Sequence, residues 1–370
     1  LKIVICGLSI TSSWGNGHAT TFRALARSLH ARGHDIVFFE RDVEWYASNR
    51  DLPNPSFCSL ELYTDWAKAL SKFRSHLADA DVAVIGSYFP DAVTAIRELL
   101  DSNVRIKAFY DIDTPITVAK LRQTGRTEYL LADQIPGFDV YFSFTGGPIL
   151  GEIEQRFGAT HAVPLYCSFD PERYHSFPPS KRFACDLSYM GTYAPDRQPK
   201  LEEFLCEPAR RLRNHRFIVA GPQYPRSVHW PKSVRRITHL NPIWHPHFYS
   251  SSRITLNVTR RDMVQAGYAP SVRLFEAAAC GAAIASDNWP GLETFFSPGK
   301  EILLPVGVDD MVRFLSDLTD RELRVIGEAA VARVLAEHTN QIRAAEFERA
   351  VEGSGIPRLS KNSPSPMAVL

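Results

Sequence analysis

Arg273 and Glu276 are the residues whose types and spacing best suit chemistry. They lie in S-V-R-L-F-E-A-A-A-C-G at 271–281, three apart, so on a helix they share one face. Ser271 after Pro270 reads as an N-cap, 272–280 holds strong helix formers, and Gly281 is the expected stop beyond the C-terminus. The start of such a helix attracts anions. Free N–H groups and the macrodipole favour a phosphate, Arg273 adds a bidentate donor, and Glu276 can accept both hydroxyls of a ribose. The same two residues also fit a plain surface ion pair. Behind them, 282–285 is an apolar run closed by Ser286, Asp287 and Asn288, which reads as a central strand leading into a loop.

A second group of candidates lies in the first half. The apolar strand 2–6 runs into G-L-S-I-T-S-S-W-G-N-G-H at 7–18 and then a helix at 19–31 with Gly33 past its end. With a strand at 36–39 this is the opening of a Rossmann-like unit, but the glycines lack G-x-G-x-x-G spacing, so a dinucleotide site does not follow. The imidazole of His18 can take the proton of an attacking hydroxyl, or can brace its own loop. Trp14 can stack on a sugar or pack as a lid on a neighbouring domain. Asp111 and Asp113 follow a strand at 105–110, where open parallel sheets bind ligands, or else cap the next helix. A D-x-D triplet can hold a divalent ion under a diphosphate, yet the later helix already offers a metal-free phosphate site, so no metal is expected. Gly146, in T-G-G-P at 145–148, either turns its N–H into a cleft or makes a tight turn.

The elements that must position these residues repeat one pattern. Helices at 66–77 and 92–100 and strands at 81–86, 140–144 and 163–167 extend the first unit, and a proline- and aromatic-rich stretch up to 179 reads as an interdomain connection. The second half restarts with a strand at 187–190, a loop at 191–197 and a helix at 199–213. Strands at 217–221 and 254–258 follow, with a helix at 246–251 between them. Helices at 309–318 and 320–337 and one ending near 351 close the chain. The expected division is a first domain over 1–177, a second over 178–340, a crossing helix at 341–352 and a flexible tail at 353–370.

A length of 370 residues suits two domains, and 45% hydrophobic with 22% charged residues is the composition of an ordinary globular protein. The net charge of +1 gives no sign of a nucleic-acid or anionic-membrane partner. Six cysteines with no C-x-x-C pair read as core thiols of a reducing compartment. The apolar start is too short to span a bilayer and meets a glycine loop rather than a cleavage site, so a cytoplasmic chain is expected. His245 and His247 flank Pro246 but have no third ligand at metal spacing.

R-L-F-E-A-A-A-C-G, D-N-W-P-G-L-E at 287–293 and P-G-K-E-I-L-L at 298–304 resemble the donor-side signature of glycosyltransferases with the GT-B fold, most of all the CgeB-like (spore-maturation type) family. The resemblance implies an α/β protein of two Rossmann-like domains facing each other across a cleft, with the final helix crossing back to the first. It implies transfer of a sugar from a nucleotide diphosphate sugar to an acceptor hydroxyl or amine, with no metal or other cofactor. Donor contacts are implied at Gly191, Thr192, Arg197, Gly221, Leu240, Pro242, Asn257, Ser271, Arg273 and Glu276. Among them Glu276 holds the ribose, Arg197 and the Gly191 backbone neutralise the leaving diphosphate, and Leu240 and Pro242 sit beside the base. The first domain contributes His18, Asp111 and Asp113 as catalytic candidates and Trp14, Asn16, Gly17 and Gly146 on the acceptor side. G-N-G-H at 15–18 is similar to the glycine-histidine loop of the transferase that adds GlcNAc to the peptidoglycan lipid precursor. Asp170 and Tyr174 match the hinge of GT-B enzymes. The pattern departs at one place: many retaining GT-B enzymes carry a second Glu eight positions before the ribose Glu, and here Tyr268 stands there, so a retaining mechanism does not follow. A sugar-nucleotide epimerase of the same fold and a nucleotide-sugar-binding scaffold without turnover are the rival readings.

Overall fold

The computed structural model describes residues 1–14 and 17–354; Asn16 and most of the tail, from 355 on, lie outside the described residues. Runs of three to seven residues, most of them apolar, become two all-parallel sheets. The first comprises β1 (Lys2–Cys6), β2 (Asp35–Arg41), β3 (Ser59–Tyr63), β4 (Val82–Gly86), β5 (Ile106–Asp111), β6 (Val140–Ser143) and β7 (Ala162–Pro164), in the order β3-β2-β1-β4-β5-β6-β7. The second comprises β8 (Cys185–Met190), β9 (Phe217–Ala220), β10 (Val234–Ile237), β11 (Ser252–Asn257) and β12 (Ala283–Ser286), in the order β10-β9-β8-β11-β12. Helices cover both faces of each sheet, which is why β1, β4, β9 and β12 are almost entirely buried.

In each sheet the strand order reverses once, between β1 and β4 and between β8 and β11. Such a switch point opens a crevice at the carboxyl ends of the strands. The loops after β1, β4 and β5 therefore converge in the first half, and those after β8, β9 and β11 in the second. Trp14, Gly17, His18, Asp111, Asp113, Gly191, Thr192, Arg197, Gly221, Asn257, Ser271, Arg273 and Glu276 belong to these loops or to the elements beside them.

The last helix, Asn340–Gly353, starts at Thr339, whose side chain accepts from the Ile342 N–H. It packs on the first sheet, with the Phe347 ring stacked on Phe142 at 5.0 Å and Ala344 and Val351 in the same core as Ile3 and Ile5. Glu348 binds Arg32 and His34, tying the end of the chain to its first unit. Helix Asp320–Glu337 begins with a reciprocal capping box between Thr319 and Glu322.

Several elements differ from expectation, among them four that bear on the sheets and the second domain. Strands β3 and β10 were not anticipated, because each lies at a sheet edge and carries polar, half-exposed residues. The strand expected at 163–167 is shorter and earlier, ending at Pro164, although the Leu165 N–H still donates to the Ser143 carbonyl of β6 (2.7 Å). The helix expected over 199–213 widens into a π-helical turn at Glu202–Cys206, one turn before Pro208 removes a donor.

Candidate functional site

The helix Val272–Ala279 and β8 build the second half of the site. Ser271 occupies the N-cap position, but its hydroxyl donates to Asn257 Oδ1 (2.9 Å) rather than back to the helix. Arg273 is fixed on three sides: Nε donates to the Met190 carbonyl (2.5 Å), Nη1 donates to Asn257 Oδ1 (2.8 Å), and the guanidinium lies 5.2 Å from the Tyr189 ring centroid. Asn257 is buried, its amide donating to Ser286 (2.9 Å) and Thr259 (3.2 Å). Asn257 Oδ1 thus accepts from both Ser271 and Arg273, and Asn257 braces Arg273 from behind.

Gly191 must lack a side chain. A Cβ there would lie 2.7 Å from the Tyr189 hydroxyl and 3.0 Å from Arg273 Nη2. Gly221, at φ +149°, packs against it so closely that a Cβ would come within 2.6 Å of the Gly191 carbonyl carbon. Arg197 reaches the same place, donating from Nη2 to the Thr192 carbonyl (2.6 Å) while its Nε is buried without a partner. Burial, and the Arg273 cation beside it, pull Arg197 below its ordinary pKa. Asp196 turns away to the Arg261 N–H (2.9 Å) and Arg260 (3.9 Å). Among the described residues, Arg197 and Arg273 have no ion-pair partner.

Glu276 is 6% exposed and faces a cavity of about 220 Å³. Burial pushes its carboxyl up to about 7, against a hydrogen bond from Tyr174 and the Arg173 and Arg273 cations. Gly191, Thr192, Gly221, Leu240, Pro242 and Glu276 line this cavity together with Gly17, Ser13 and Thr20 of the first half. Arg173 and Tyr174 enter it from the connection. Arg173 was not foreseen; its only signal is its place beside Tyr174 in the hinge. His245 is neutral, lowered to about 4 by burial, and donates from Nε2 to the Leu240 carbonyl (3.2 Å). His247 lies against Phe177 (4.3 Å) instead, so the two imidazoles do not converge.

In the first half, His18 stands in the opening turn of helix Gly17–Ala31 with Nε2 3.8 Å from Asp113 Oδ2. Asp113 holds the N-cap position of helix Thr114–Thr124 but makes no side-chain cap bond. Asp111 is fully buried and accepts from the Tyr141 hydroxyl (2.7 Å), Thr117 (2.8 Å) and the Asp113 N–H (3.3 Å). Burial raises it to about 7. It therefore lies beneath the cleft floor, and the catalytic expectation for it does not fit its place. Among the described residues no group of His, Cys, Asp and Glu is arranged to hold a metal ion.

Tyr88, in the loop after β4, is a neighbour of His18 that sequence reasoning missed. Its φ is +61°, a left-handed backbone rare for a bulky residue. The ring meets His18 edge-on at 5.3 Å and leans on Tyr129 at 4.6 Å. Trp14 is 39% exposed and packs on His239 of the second half at 4.1 Å, the lid alternative. The Gly146 N–H donates to the Tyr268 carbonyl (3.0 Å), and a Cβ there would strike the Tyr166 hydroxyl. Gly146 thus joins the two halves rather than facing the cavity.

Residues 197–349 match the family model described as glycosyl transferase-like. No curated protein matches by sequence. Among solved structures, sucrose-phosphate synthase from Thermosynechococcus elongatus superposes with a TM-score of 0.68 at 12% identity, covering 95% of this chain and 98% of that one. HepE from Anabaena in complex with UDP and glucose gives 0.69 at 10% identity, covering 95% and 100%. An alpha-glucosyltransferase in complex with UDP-glucose and DNA containing an abasic site gives 0.70 at 13% identity, covering 95% and 99%. The fold is GT-B, with two parallel-sheet domains and the site at their facing switch points.

Proposed function

We propose that this GT-B chain is a glycosyltransferase that moves a sugar from a uridine diphosphate sugar, or a close relative, to an acceptor hydroxyl or amine without a metal ion. The observation that carries the reading is the pair Arg197 and Arg273, two cations set around a side-chain-free Gly191 with no carboxylate partner among the described residues. Adjacent guanidiniums repel each other, and a diphosphate between them removes that repulsion. Its charge grows as the glycosidic bond breaks, so fixed cations there stabilise the transition state more than the ground state. Glu276, as a carboxylate, accepts the ribose hydroxyls, and the His18–Asp113 pair takes the acceptor proton. UDP and UDP-glucose in the solved structures of similar fold support the donor class. The R-L-F-E-A-A-A-C-G run supports placement among the CgeB-like enzymes. Six free thiols support a cytoplasmic setting, and no helix of the described residues is long and apolar enough to cross a membrane.

Nucleotide release from a panel of nucleotide sugars tests this. We expect release for at least one donor, lowered roughly 10²-fold in Arg197→Ala and Arg273→Ala. Tight donor binding with no release across the panel would support the scaffold reading, and an isomerised sugar nucleotide would support the epimerase.

A further inference from the structure

Tyr268 lies in the strap that joins helix Arg261–Ala266 to helix Val272–Ala279. Its φ is +48°, in the left-handed region that costs a bulky residue about 1–3 kcal/mol. Something must hold it there. Its N–H donates to the Pro290 carbonyl (2.7 Å), and its carbonyl accepts from Gly146 across the cleft (3.0 Å).

The ring is seated between two glycines from opposite halves, Gly147 (φ +68°) and Gly291 (φ +87°). A Cβ on Gly147 would lie 2.7 Å from Cε2 of the ring, and one on Gly291 would lie 2.5 Å from Cε1. Opposite edges of one ring therefore press on the backbones of opposite domains. Two residues on, the Pro270 carbonyl accepts from the Cys167 thiol of the connection (3.3 Å), and the strap then enters the helix that carries Arg273 and Glu276.

We propose that Tyr268 is a positioning residue that sets the distance between the two halves of the site. It touches no reacting group in this arrangement. Its seated ring holds the strap in its strained conformation, and the strap fixes where the Arg273–Glu276 helix begins relative to His18 and Asp113. If the domains part, the ring loses Gly147 and the Gly146 hydrogen bond together. The consequence for turnover rests on the glycosyltransferase reading, whereas the consequence for domain spacing does not.

Small-angle scattering, UDP titration and nucleotide release on Tyr268→Ala, Tyr268→Phe and Gly147→Ala test it. We expect a larger radius of gyration for Tyr268→Ala and Gly147→Ala, UDP affinity within about threefold of wild type because the residues lining the donor cavity are intact, and release slowed roughly 10²-fold by the misplaced half-site. Tyr268→Phe keeps the ring and should restore all three. In the double variant Gly147→Ala, Tyr268→Ala the added methyl meets no ring, so any defect beyond that of Tyr268→Ala reports the strain of alanine at φ +68° and not the ring. Unchanged scattering in both single variants would overturn the proposal whatever the activity. Altered scattering with no release from any donor in the wild type would leave the spacing role standing and remove the glycosyltransferase reading instead. If Tyr268→Ala does not fold, Gly147→Ala, which keeps the tyrosine, decides.

Discussion

His18 and Asp113 approach to 3.8 Å across two loops that leave different strands of the first sheet. That separation exceeds a hydrogen bond, as catalytic contacts often do before substrate closes them. Asp113→Asn should keep the fold and UDP affinity while lowering turnover by roughly 10²-fold, because the amide cannot stabilise an imidazolium. His18→Gln should do the same. Full activity in both variants, measured at saturating donor, would return His18 to the role of a loop brace.

Glu276 makes donor binding depend on pH. Its carboxyl lies near 7 in the folded protein, above its ordinary value of 4.5. The folded state therefore binds the proton more tightly than the unfolded chain. Its contribution to stability is fully present below about 4.5 and is lost as pH rises through 7. Ribose hydroxyls need the ionised form as acceptor, so UDP affinity should strengthen from pH 6 to 8. Asp111 also titrates near 7 but is sealed from the cavity. Comparing calorimetric titrations of wild type and Glu276→Gln isolates the effect: the variant should bind weakly with a shallower pH response, which comes from the terminal phosphate of UDP titrating at about 6, and an equal slope in both proteins would remove the ribose assignment.

Much of the fold was legible because its signals are local. The apolar runs that became β1, β4 and β5 and the stop at Gly281 each depend on a few adjacent residues. So does the capped helix Asp320–Glu337. The cavity-lining Gly17, Gly191 and Gly221 were named through the resemblance to GT-B enzymes instead. What was not legible depends on partners far along the chain. Asn257 faces inward because Arg273 and Ser271 converge on its oxygen, and Asp111 because Tyr141 and Thr117 do. Tyr88 carries no local sign of its positive φ, since tyrosine seldom adopts one.

Glu40 shows how the loop after β1 depends on one buried group. It is fully buried at the end of β2 and accepts four hydrogen bonds, from the N–H groups of Ile10 (2.6 Å) and Thr11 (2.9 Å) and the hydroxyls of Ser9 (2.9 Å) and Thr11 (2.6 Å). Arg23 adds a second anchor, donating to the Ile10 carbonyl and to Asp51. Against burial, hydrogen bonds from Arg23 and Ser13 hold Asp51 well below the usual carboxylate range. Glu40→Leu fills the site with an apolar side chain but leaves the two buried N–H groups of Ile10 and Thr11 unpaired. At about 1–3 kcal/mol for each unpaired group, a loss of several kcal/mol is expected. Glu40→Gln, which retains one acceptor oxygen, should lose less. Because Ser13 and Gly17 at the end of this loop line the cavity, UDP affinity should fall in Glu40→Leu although residue 40 does not touch it. Urea unfolding and amide exchange at Ile10 and Thr11 report both effects, and native protection of those two amides in Glu40→Leu would show that the loop is held by Arg23 and Asp51 alone.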